Sequence, residues 1–249
     1  MGHFLPFYVR YAAHFHFDAI WLDLEHRALA DREVQALLAL CHLYDIDCMV
    51  RPPSLERNRL YRFLEDGAAG FLIPFASDVE IARRVVEAVK FPPLGNRGLD
   101  GVGLDADFGL GSWEKGSDYT QDANQESFVI AQIETPEAVD HASEIAAVEG
   151  IDALFVGTAD LGLRLAVRGG STNHNLDSAI KQVAEASRHQ GKAWGAASGS
   201  LEAVTKYWQM GARVITWGGD FSLRQVLSDC SVQLDLALSS ELSVADERG

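Results

Sequence analysis

Residues 131–160 read AQIETPEAVDHASEIAAVEGIDALFVGTAD, and this stretch decides the fold. An apolar run that begins at Phe128 ends in Glu134, and a second apolar run, beginning at Ala153, ends in the segment Gly-Thr-Ala-Asp that closes with Asp160. The segment between the two runs has a helical pattern. Consecutive strands joined by a helix often lie side by side in a parallel sheet, so we expect both carboxylates to face one opening. Two hard oxygen ligands at one opening suit Mg²⁺ or Mn²⁺.

Strand and helix patterns alternate along almost the whole chain. The predicted strands cover residues 19–24, 48–51, 70–74, 128–134, 153–157, 193–197 and 214–217. The predicted helices cover residues 6–16, 31–44, 58–66, 78–90, 136–147, 176–190, 201–210 and 221–236, with Asp31 and Asp78 as N-caps and an irregular stretch over 91–125. Apolar runs buried on both faces indicate parallel strands, and the alternation predicts a (βα)₈ TIM barrel. A doubly wound open sheet is the alternative, although its GxGxxG fingerprint does not follow the first strand.

One strand of the eight is short or missing from this pattern. If residues 6–16 form a helix, only residues 2–5 remain for a first strand before the strand at 19–24. We therefore predict either a very short first strand or a barrel that is open at that point, with a gap or disorder at the N-terminus. The predicted domain covers residues 1–249, with its core over about 17–237 and a polar, frayed tail over 239–249.

Composition restricts the classes of partner. The chain has 249 residues, 47% of them hydrophobic, which is enough for one barrel-sized domain. Its net charge of −15 argues against nucleic acid and anionic membranes as partners. No apolar run is long enough to span a bilayer, and the N-terminal residues lack the pattern of a signal peptide. Three cysteines without CxxC spacing indicate reduced thiols, so we expect a cytoplasmic protein.

Other polar residues follow the same ends of the predicted strands. Asp23, Glu25 and His26 follow the first of the seven strands, and Arg51 ends the second. Each has a plain structural explanation: His26 satisfied by a backbone carbonyl, Arg51 paired with Glu25 or Asp23, and Glu134 placed for a helix dipole. A hydrophobic core requires none of these residue types, and their coincidence at one end of neighbouring strands favours a functional site.

The motifs, taken together, resemble those of the HpcH/HpaI aldolases. The resemblance extends from about residue 17 to residue 220 and rests on ordered segments: FDAIWLDLEHR, VRPP, FLIPFASDVEIARRVVEAVKFPPLGNRG, AQIETPEAV and GIDALFVGTADL. Members of this family are class II, metal-dependent pyruvate aldolases built on a TIM barrel. The resemblance implies a lyase that reversibly cleaves a 4-hydroxy-2-oxo acid to pyruvate and an aldehyde through a metal-bound pyruvate enolate. It also implies a homo-oligomer, commonly a hexamer in which the C-terminal helix packs on a neighbour.

The resemblance implies a role for each candidate residue. Glu134 and Asp160 would hold a divalent metal such as Mg²⁺, Mn²⁺ or Co²⁺, while Gln132 and Arg51 would contact pyruvate. Backbone amides around Ala159 and Asp160 would bind the pyruvate carboxylate. His26 would be the catalytic base, oriented by Asp23.

Elementary chemistry is compatible with these roles. Enolate formation needs a Lewis acid on the keto oxygen, a cation where negative charge develops, and a base with a pKa near neutral. No lysine lies at a strand end, so a Schiff-base mechanism has no candidate residue. Decarboxylation of oxaloacetate uses the same enolate and remains an alternative, as does a degenerate barrel without turnover. Thr158 and Gly162, in a segment that continues LGLRLAVRGG, depart from the family pattern, so the resemblance does not define the pocket for the acceptor aldehyde.

Overall fold

The computed structural model of the chain describes residues 1–110, 112–114, 116–167 and 175–246. Within these residues, seven strands form a single sheet in the order of the sequence, and every neighbouring pair is parallel. The strands are β1 (Ala19–Asp23), β2 (Asp47–Arg51), β3 (Gly70–Ile73), β4 (Phe128–Ile133), β5 (Ala153–Val156), β6 (Ala193–Ala197) and β7 (Val214–Thr216). The sheet is a curled half-barrel consistent with a TIM-like fold, and it corrects the expectation of a closed eight-stranded barrel.

Helices connect the strands in βα alternation. They are α1 (Pro6–His14), α2 (Asp31–Leu43), α3 (Arg57–Glu65), α4 (Val79–Val89), α5 (Tyr119–Glu126), α6 (Pro136–Asp140), α7 (Ala142–Ala146), α8 (Thr158–Val167), α9 (Leu176–His189), α10 (Leu201–Gln209) and α11 (Leu223–Asp246). Two 3₁₀ turns cover Leu104–Gly109 and Asp220–Ser222. No helix of the described residues combines the length and the apolar character that crossing a membrane requires.

One face of the sheet carries a compact apolar cluster. Side chains from β2 to β5 form its buried centre: Met49, Leu72, Ile130, Ala153 and Phe155. Trp21, from β1, packs against this cluster, and its indole lies edge-on to the ring of Phe155 with the centroids 5.8 Å apart. The strands also carry glycines where they approach closely, because a Cβ at Gly195 would overlap the backbone carbonyl of Val214 on β7. Every residue of β3 and of β5 is buried, as expected for parallel strands that are covered on both faces.

The missing first strand is confirmed. Residues 1–5 form no strand, and Pro6 begins α1 at the first helical position, where a proline costs no hydrogen bond. β1 and β7 therefore remain the two edges of the sheet among the described residues.

The local backbone structure corrects two of the predicted helix boundaries and confirms a third. The residue at the N-cap of α2 is Ala30 and not Asp31, and its backbone N–H donates to the Glu33 carboxylate at 2.7 Å. The predicted helix over 136–147 is two helices, because the backbone of His141, with φ −93° and ψ 6°, interrupts the helical conformation. Asp78 caps α4 as predicted, since its carboxylate accepts the Ile81 N–H at 2.8 Å.

The stretch predicted to be irregular contains a helix that the sequence pattern does not indicate. Lys90 donates from Nζ to the Asn124 carbonyl at 2.7 Å and to the Ser127 carbonyl and hydroxyl. The Asn124 side chain pairs with both backbone groups of Phe91, with its Oδ1 accepting at 2.7 Å and its Nδ2 donating at 3.0 Å. These contacts hold the C-terminal end of α5 in place, which explains a helix in a segment of weak helical propensity.

Among the described residues, 218–246 cluster as a compact unit of their own, together with Met1. After the 3₁₀ turn at Asp220–Ser222, α11 continues through Asp246, ten residues beyond its predicted end and through most of the tail expected to be frayed. Glu247–Gly249, the last residues of that tail, lie outside the described residues. The single-domain boundary over residues 1–249 stays a prediction.

Candidate active site

The register of the sheet brings polar residues together at the carboxyl ends of the strands. Asp23 ends β1 and is directly paired in register with Arg51, which ends β2. Gln132 and Phe155 are paired on β4 and β5, so Glu134 and Gly157 follow at neighbouring strand ends. The parallel sheet thus gathers the strand-end residues as the sequence predicts.

Arg51 is held on three sides. Its Nε and Nη2 donate to the two oxygens of Asp23 at 3.0 and 2.8 Å, and its Nη1 lies 3.2 Å from the Glu25 carboxylate. The face of its guanidinium lies over the Trp21 ring, 4.7 Å from the ring centroid. The residue is 7% exposed, so this cation is desolvated and held in one orientation by its charged neighbours and an aromatic face.

The Asp23 carboxylate accepts hydrogen bonds from Arg51 and from the backbone rather than from the imidazole of His26. Its Oδ1 accepts the backbone N–H groups of Glu25 at 3.1 Å and His26 at 3.3 Å, which shapes the turn after β1. Burial raises the pKa of Asp23, but the bonds from Arg51 and the His26 backbone outweigh it and lower the pKa below its ordinary value. The carboxylate near the His26 ring is that of Glu25, whose Oε2 lies 3.6 Å from Nε2.

Glu134 is a buried carboxylate, with only 2% of the residue exposed. Its Oε1 accepts from Gln132 Nε2 at 2.8 Å, and its Oε2 accepts the backbone N–H of Phe75 at 3.1 Å. Burial, together with the negative charges of Glu25 and Asp160, raises the pKa of Glu134 to about 7 against the opposing effects of the Phe75 hydrogen bond and of Arg51. A carboxylate with these neighbours is stabilised by a cation.

Gly157 leaves the space that Glu134 occupies. A Cβ on Gly157 would lie 2.6 Å from both Cγ and Oε1 of Glu134 and 2.9 Å from Nε2 of Gln132. The Gln132 side chain is also buried, and its Oε1 has no hydrogen-bond partner among the described residues. An unpaired buried acceptor beside a buried carboxylate indicates that a further polar group binds here.

The segment after β5 folds as α8, a helix that the sequence pattern does not predict. Thr158 is its first residue, and Ala159 and Asp160 follow in its first turn. The first amide N–H groups of a helix have no partner within it, and the helix dipole favours an anion at this end. Ala159 is exposed, so its backbone lies at the surface of the site. Asp160 also pairs with Arg164 of α8 at 2.6 Å, a contact that sequence reasoning missed and that their i,i+4 spacing could have indicated.

The donor set fits a divalent cation held by two carboxylates. No group of three or more histidine, cysteine, aspartate or glutamate side chains is arranged for metal binding within the described part of the chain. Glu134 and Asp160 are the two carboxylates that could serve as protein ligands, with water or substrate oxygens in the remaining positions. The fit rests on the buried Glu134 carboxylate with its raised pKa and on the unpaired oxygen of Gln132.

His26 lies at the margin of this arrangement. Its side chain is 55% exposed, in contrast to the buried Arg51 and Glu134. The structure thus gathers Asp23, Glu25 and Arg51 in direct contact and places Gln132 against Glu134, while the imidazole faces solvent.

Comparison with known proteins gives a family match over most of the chain. The model of the HpcH/HpaI aldolase/citrate lyase family matches residues 4–225. A hydroxypyruvate/pyruvate aldolase of Delftia acidovorans is 32% identical over 207 residues, which are 83% of this chain and 76% of the relative. A 4-hydroxy-2-oxo-heptane-1,7-dioate aldolase of Shigella flexneri is 30% identical over the same lengths and shares.

A solved structure supports the same assignment. The crystal structure of an HpcH/HpaI aldolase from Desulfitobacterium hafniense superimposes with a TM-score of 0.82 at 30% identity, covering 93% of this chain and 88% of that one. Fold and sequence therefore match the same family.

The raised pKa of Glu134 predicts how stability depends on pH in metal-free protein. Between its ordinary value of 4.5 and about 7, this carboxyl is protonated in the folded chain and ionised in the unfolded chain. The contribution of Glu134 to the free energy of unfolding is therefore fully present below pH 4.5 and is lost as the pH rises through about 7. The free energy of unfolding falls by about 3 kcal/mol over this range. Glu134→Gln should remove this part of the pH dependence and stabilise the chelator-treated protein at pH 8.

Denaturant unfolding of metal-free wild type and variant at pH 5.5 and pH 8 measures this difference. Glu80→Gln is the matched control, because Glu80 is an exposed carboxylate on α4. If the free energy of unfolding changed equally between the two pH values in wild type and in Glu134→Gln, the raised pKa of Glu134 would be contradicted.

Proposed function

This chain belongs to the HpcH/HpaI aldolase/citrate lyase family, and we propose that it is a carbon–carbon lyase that reversibly cleaves a 4-hydroxy-2-oxo acid to pyruvate and an aldehyde. The observation that carries the proposal is that the carboxyl ends of the strands hold both a buried carboxylate, Glu134, and a buried cation, Arg51, which its own ion pairs with Asp23 and Glu25 orient. Charge of both signs is needed in this reaction, because the metal requires anionic ligands and the enolate requires a cation.

Glu134 and Asp160 would hold Mg²⁺, Mn²⁺ or Co²⁺ in this proposal. When bound, the cation would act as a Lewis acid towards the keto group of pyruvate and so acidify its methyl group. Glu25 adds a third negative charge that acts on Glu134, and this further favours a dication there.

Pyruvate would be oriented by groups on three elements. The backbone N–H groups of Ala159 and Asp160, in the first turn of α8, would bind its carboxylate. A guanidinium has five N–H groups, and two of those of Arg51 donate to Asp23, while its contact with Glu25 is an ion pair without hydrogen-bond geometry. At least one N–H on each terminal nitrogen would therefore be available for the oxygen on which enolate charge develops. The buried amide oxygen of Gln132, which has no hydrogen-bond partner among the described residues, would contact the bound pyruvate.

His26 would move the proton between the pyruvate methyl group and the aldehyde oxygen. The pKa of a histidine in water is close to neutral, as a base in this reaction requires. Glu25, 3.6 Å away, is placed to interact with the imidazole, while Asp23 positions the His26 backbone. Asp23 therefore contributes by holding Arg51 and the turn after β1.

The first test concerns the metal ligands. Glu134→Gln and Asp160→Asn should each lose Mn²⁺ binding, followed by calorimetry, and should lose metal-dependent release of pyruvate from 4-hydroxy-2-oxo acids. The matched controls are Glu80→Gln and Asp177→Asn, since both carboxylates belong to exposed ion pairs outside the site. Normal metal binding and turnover in either ligand variant would refute the site. Wild-type protein that binds metal but releases no pyruvate would indicate a barrel without this activity, and decarboxylation of oxaloacetate alone would indicate the alternative reaction.

A second test concerns the base and the cation. His26→Ala should slow exchange of the pyruvate methyl protons with solvent by about 10²–10⁴-fold, the usual contribution of a general base, as followed by proton NMR in deuterated buffer. Arg51→Lys should also be slow, because an ammonium group cannot reproduce the planar donor fork that Asp23 and Glu25 hold. His42→Ala, an exposed histidine on α2, is the control. Near-normal exchange in His26→Ala would assign the base to another group.

We also propose that the protein is a homo-oligomer, with a hexamer favoured. Every residue from 221 to 239 is exposed, and Leu223, Leu227, Leu234 and Leu238 repeat along α11 at helical spacing. An apolar stripe of this kind is characteristic of a surface that another chain covers.

Light scattering at micromolar concentration should show a stable assembly. The double substitution Leu227→Asp and Leu234→Asp should weaken it, whereas Arg224→Ser on the same helix should have little effect. A monomeric wild-type protein would contradict the proposal.

The cellular setting that we propose is the cytoplasm. Cys41, Cys48 and Cys230 are all free thiols, and Cys41 and Cys48 are buried. Free thiols are the usual state of cysteines in reducing compartments.

A further inference from the structure

Helix α11 carries an apolar stripe whose spacing is the same in both directions. The stripe consists of Leu223, Leu227, Leu234 and Leu238, which are four, seven and four residues apart. Because these spacings follow the helical period, the four side chains lie on one face of α11, and all of them are exposed. The stripe is therefore symmetric about the point midway between residues 230 and 231.

A symmetric stripe can pair with a second copy of itself. A contact about a two-fold axis uses the same surface patch on both partners, so that patch must be self-complementary. In an antiparallel pair of α11 helices with the axis at the midpoint of the stripe, Leu223 faces Leu238 of the second copy. Leu227 faces Leu234 of the second copy in the same way. Cys230 lies on this face, three residues after Leu227 and four before Leu234, and so comes next to its own counterpart.

The charges beside the stripe favour the antiparallel direction. Asp235 follows Arg224 by eleven residues, which is about three helical turns, so both side chains flank the stripe on the same side. An antiparallel pair places Arg224 of each copy near Asp235 of the other, whereas a parallel pair places each charge beside the same charge of the second copy. Exposed ion pairs contribute little free energy, but complementary charges determine how two partners are oriented.

A different surface of a second copy is the alternative cover for an exposed apolar stripe. That arrangement would require leucines on one face of α11, but it would require neither a symmetric spacing nor opposite charges near symmetric positions. Self-pairing accounts for both features and is therefore the better explanation.

We propose that α11 pairs antiparallel with α11 of a second copy of this chain, about a two-fold axis next to Cys230. The proposal rests on the homo-oligomer proposed above and names the partner of its exposed helix. The stripe extends over fifteen residues, or about 22 Å of helix, and the contact closes four leucine pairs. A two-fold contact of this kind fits a dimer and also a hexamer built from dimers.

The first experiment uses Cys230 as a reporter of the axis. Cys230 is exposed, whereas Cys41 and Cys48 are buried, so oxidised glutathione added to native protein at micromolar concentration should link two chains through Cys230. Electrophoresis without reductant should show a covalent dimer, which Cys230→Ser abolishes. The matched control is Cys230→Ser with Ser228→Cys, which moves the exposed thiol away from the stripe. It should link about tenfold more slowly or less, because only a thiol held at the axis has a high effective concentration of its partner.

The second experiment determines the direction of the pair. On a Cys230→Ser background, Leu227→Cys combined with Leu234→Cys should form a covalent dimer, whereas either substitution alone should not. In the antiparallel pair the two copies of residue 227 are seven residues, or about 10 Å, apart along the helix axis, which is too far for a disulfide. A parallel pair would instead be linked by Leu227→Cys alone.

The outcomes separate this proposal from those on which it rests. A stable oligomer in light scattering that Cys230 does not link, or linkage by Leu227→Cys alone, would overturn the antiparallel pair and leave the homo-oligomer standing. A monomeric wild type would refute both. Metal-dependent release of pyruvate is measured separately, and its absence would refute the proposed lyase activity without changing the expected cross-links.

Discussion

The burial of the Glu134 carboxylate, at the end of the central strand, is the constraint on which the site depends. Removing an ionised carboxylate from water is unfavourable unless hydrogen bonds and positive charge replace the solvent. Gln132 and the Phe75 N–H supply two hydrogen bonds, yet the pKa of Glu134 is still raised to about 7. The polypeptide alone therefore leaves this charge incompletely compensated, which is a reasonable property for a ligand whose cation comes from solution.

The charge of Arg51, unlike that of Glu134, is compensated within the protein. Two carboxylates and an indole face surround its guanidinium, so this buried cation is fully compensated before any substrate arrives. Compensation in advance keeps the remaining donors in one orientation, and a preorganised donor stabilises developing charge without the cost of reorienting. The carboxyl ends of the strands thus combine a buried anion, Glu134, that forms no ion pair among the described residues, with a buried cation, Arg51, that is already oriented.

The loops and helices after the strands differ in character from the strand ends. Arg51, Gln132 and Glu134 are buried, whereas the side chain of Arg164, on the helix after β5, is partly exposed. In barrel enzymes, strand ends carry the common chemistry and the following loops vary the substrate. Thr158 and Gly162, the two residues expected to depart from the family pattern, lie in this part of the chain. Arg168–His174, the continuation of that segment, lie outside the described residues.

The seven strands, most of the helices and the gathering of Asp23, Arg51, Gln132 and Glu134 could be predicted from the sequence, because apolar periodicity is local and βα alternation indicates parallel strands whose carboxyl ends lie together. It also indicated the family through ordered motifs. Only the tertiary structure decided which carboxylate faces which cation: Asp23 binds Arg51 rather than the His26 ring, since the register places their strand ends side by side. Likewise α5 depends on contacts of Asn124 and Ser127 with Lys90 and Phe91, more than thirty residues away in sequence, and Arg164 of α8 lies over the ring of Phe75, which follows β3. Such contacts follow from how the elements pack, which no local pattern encodes.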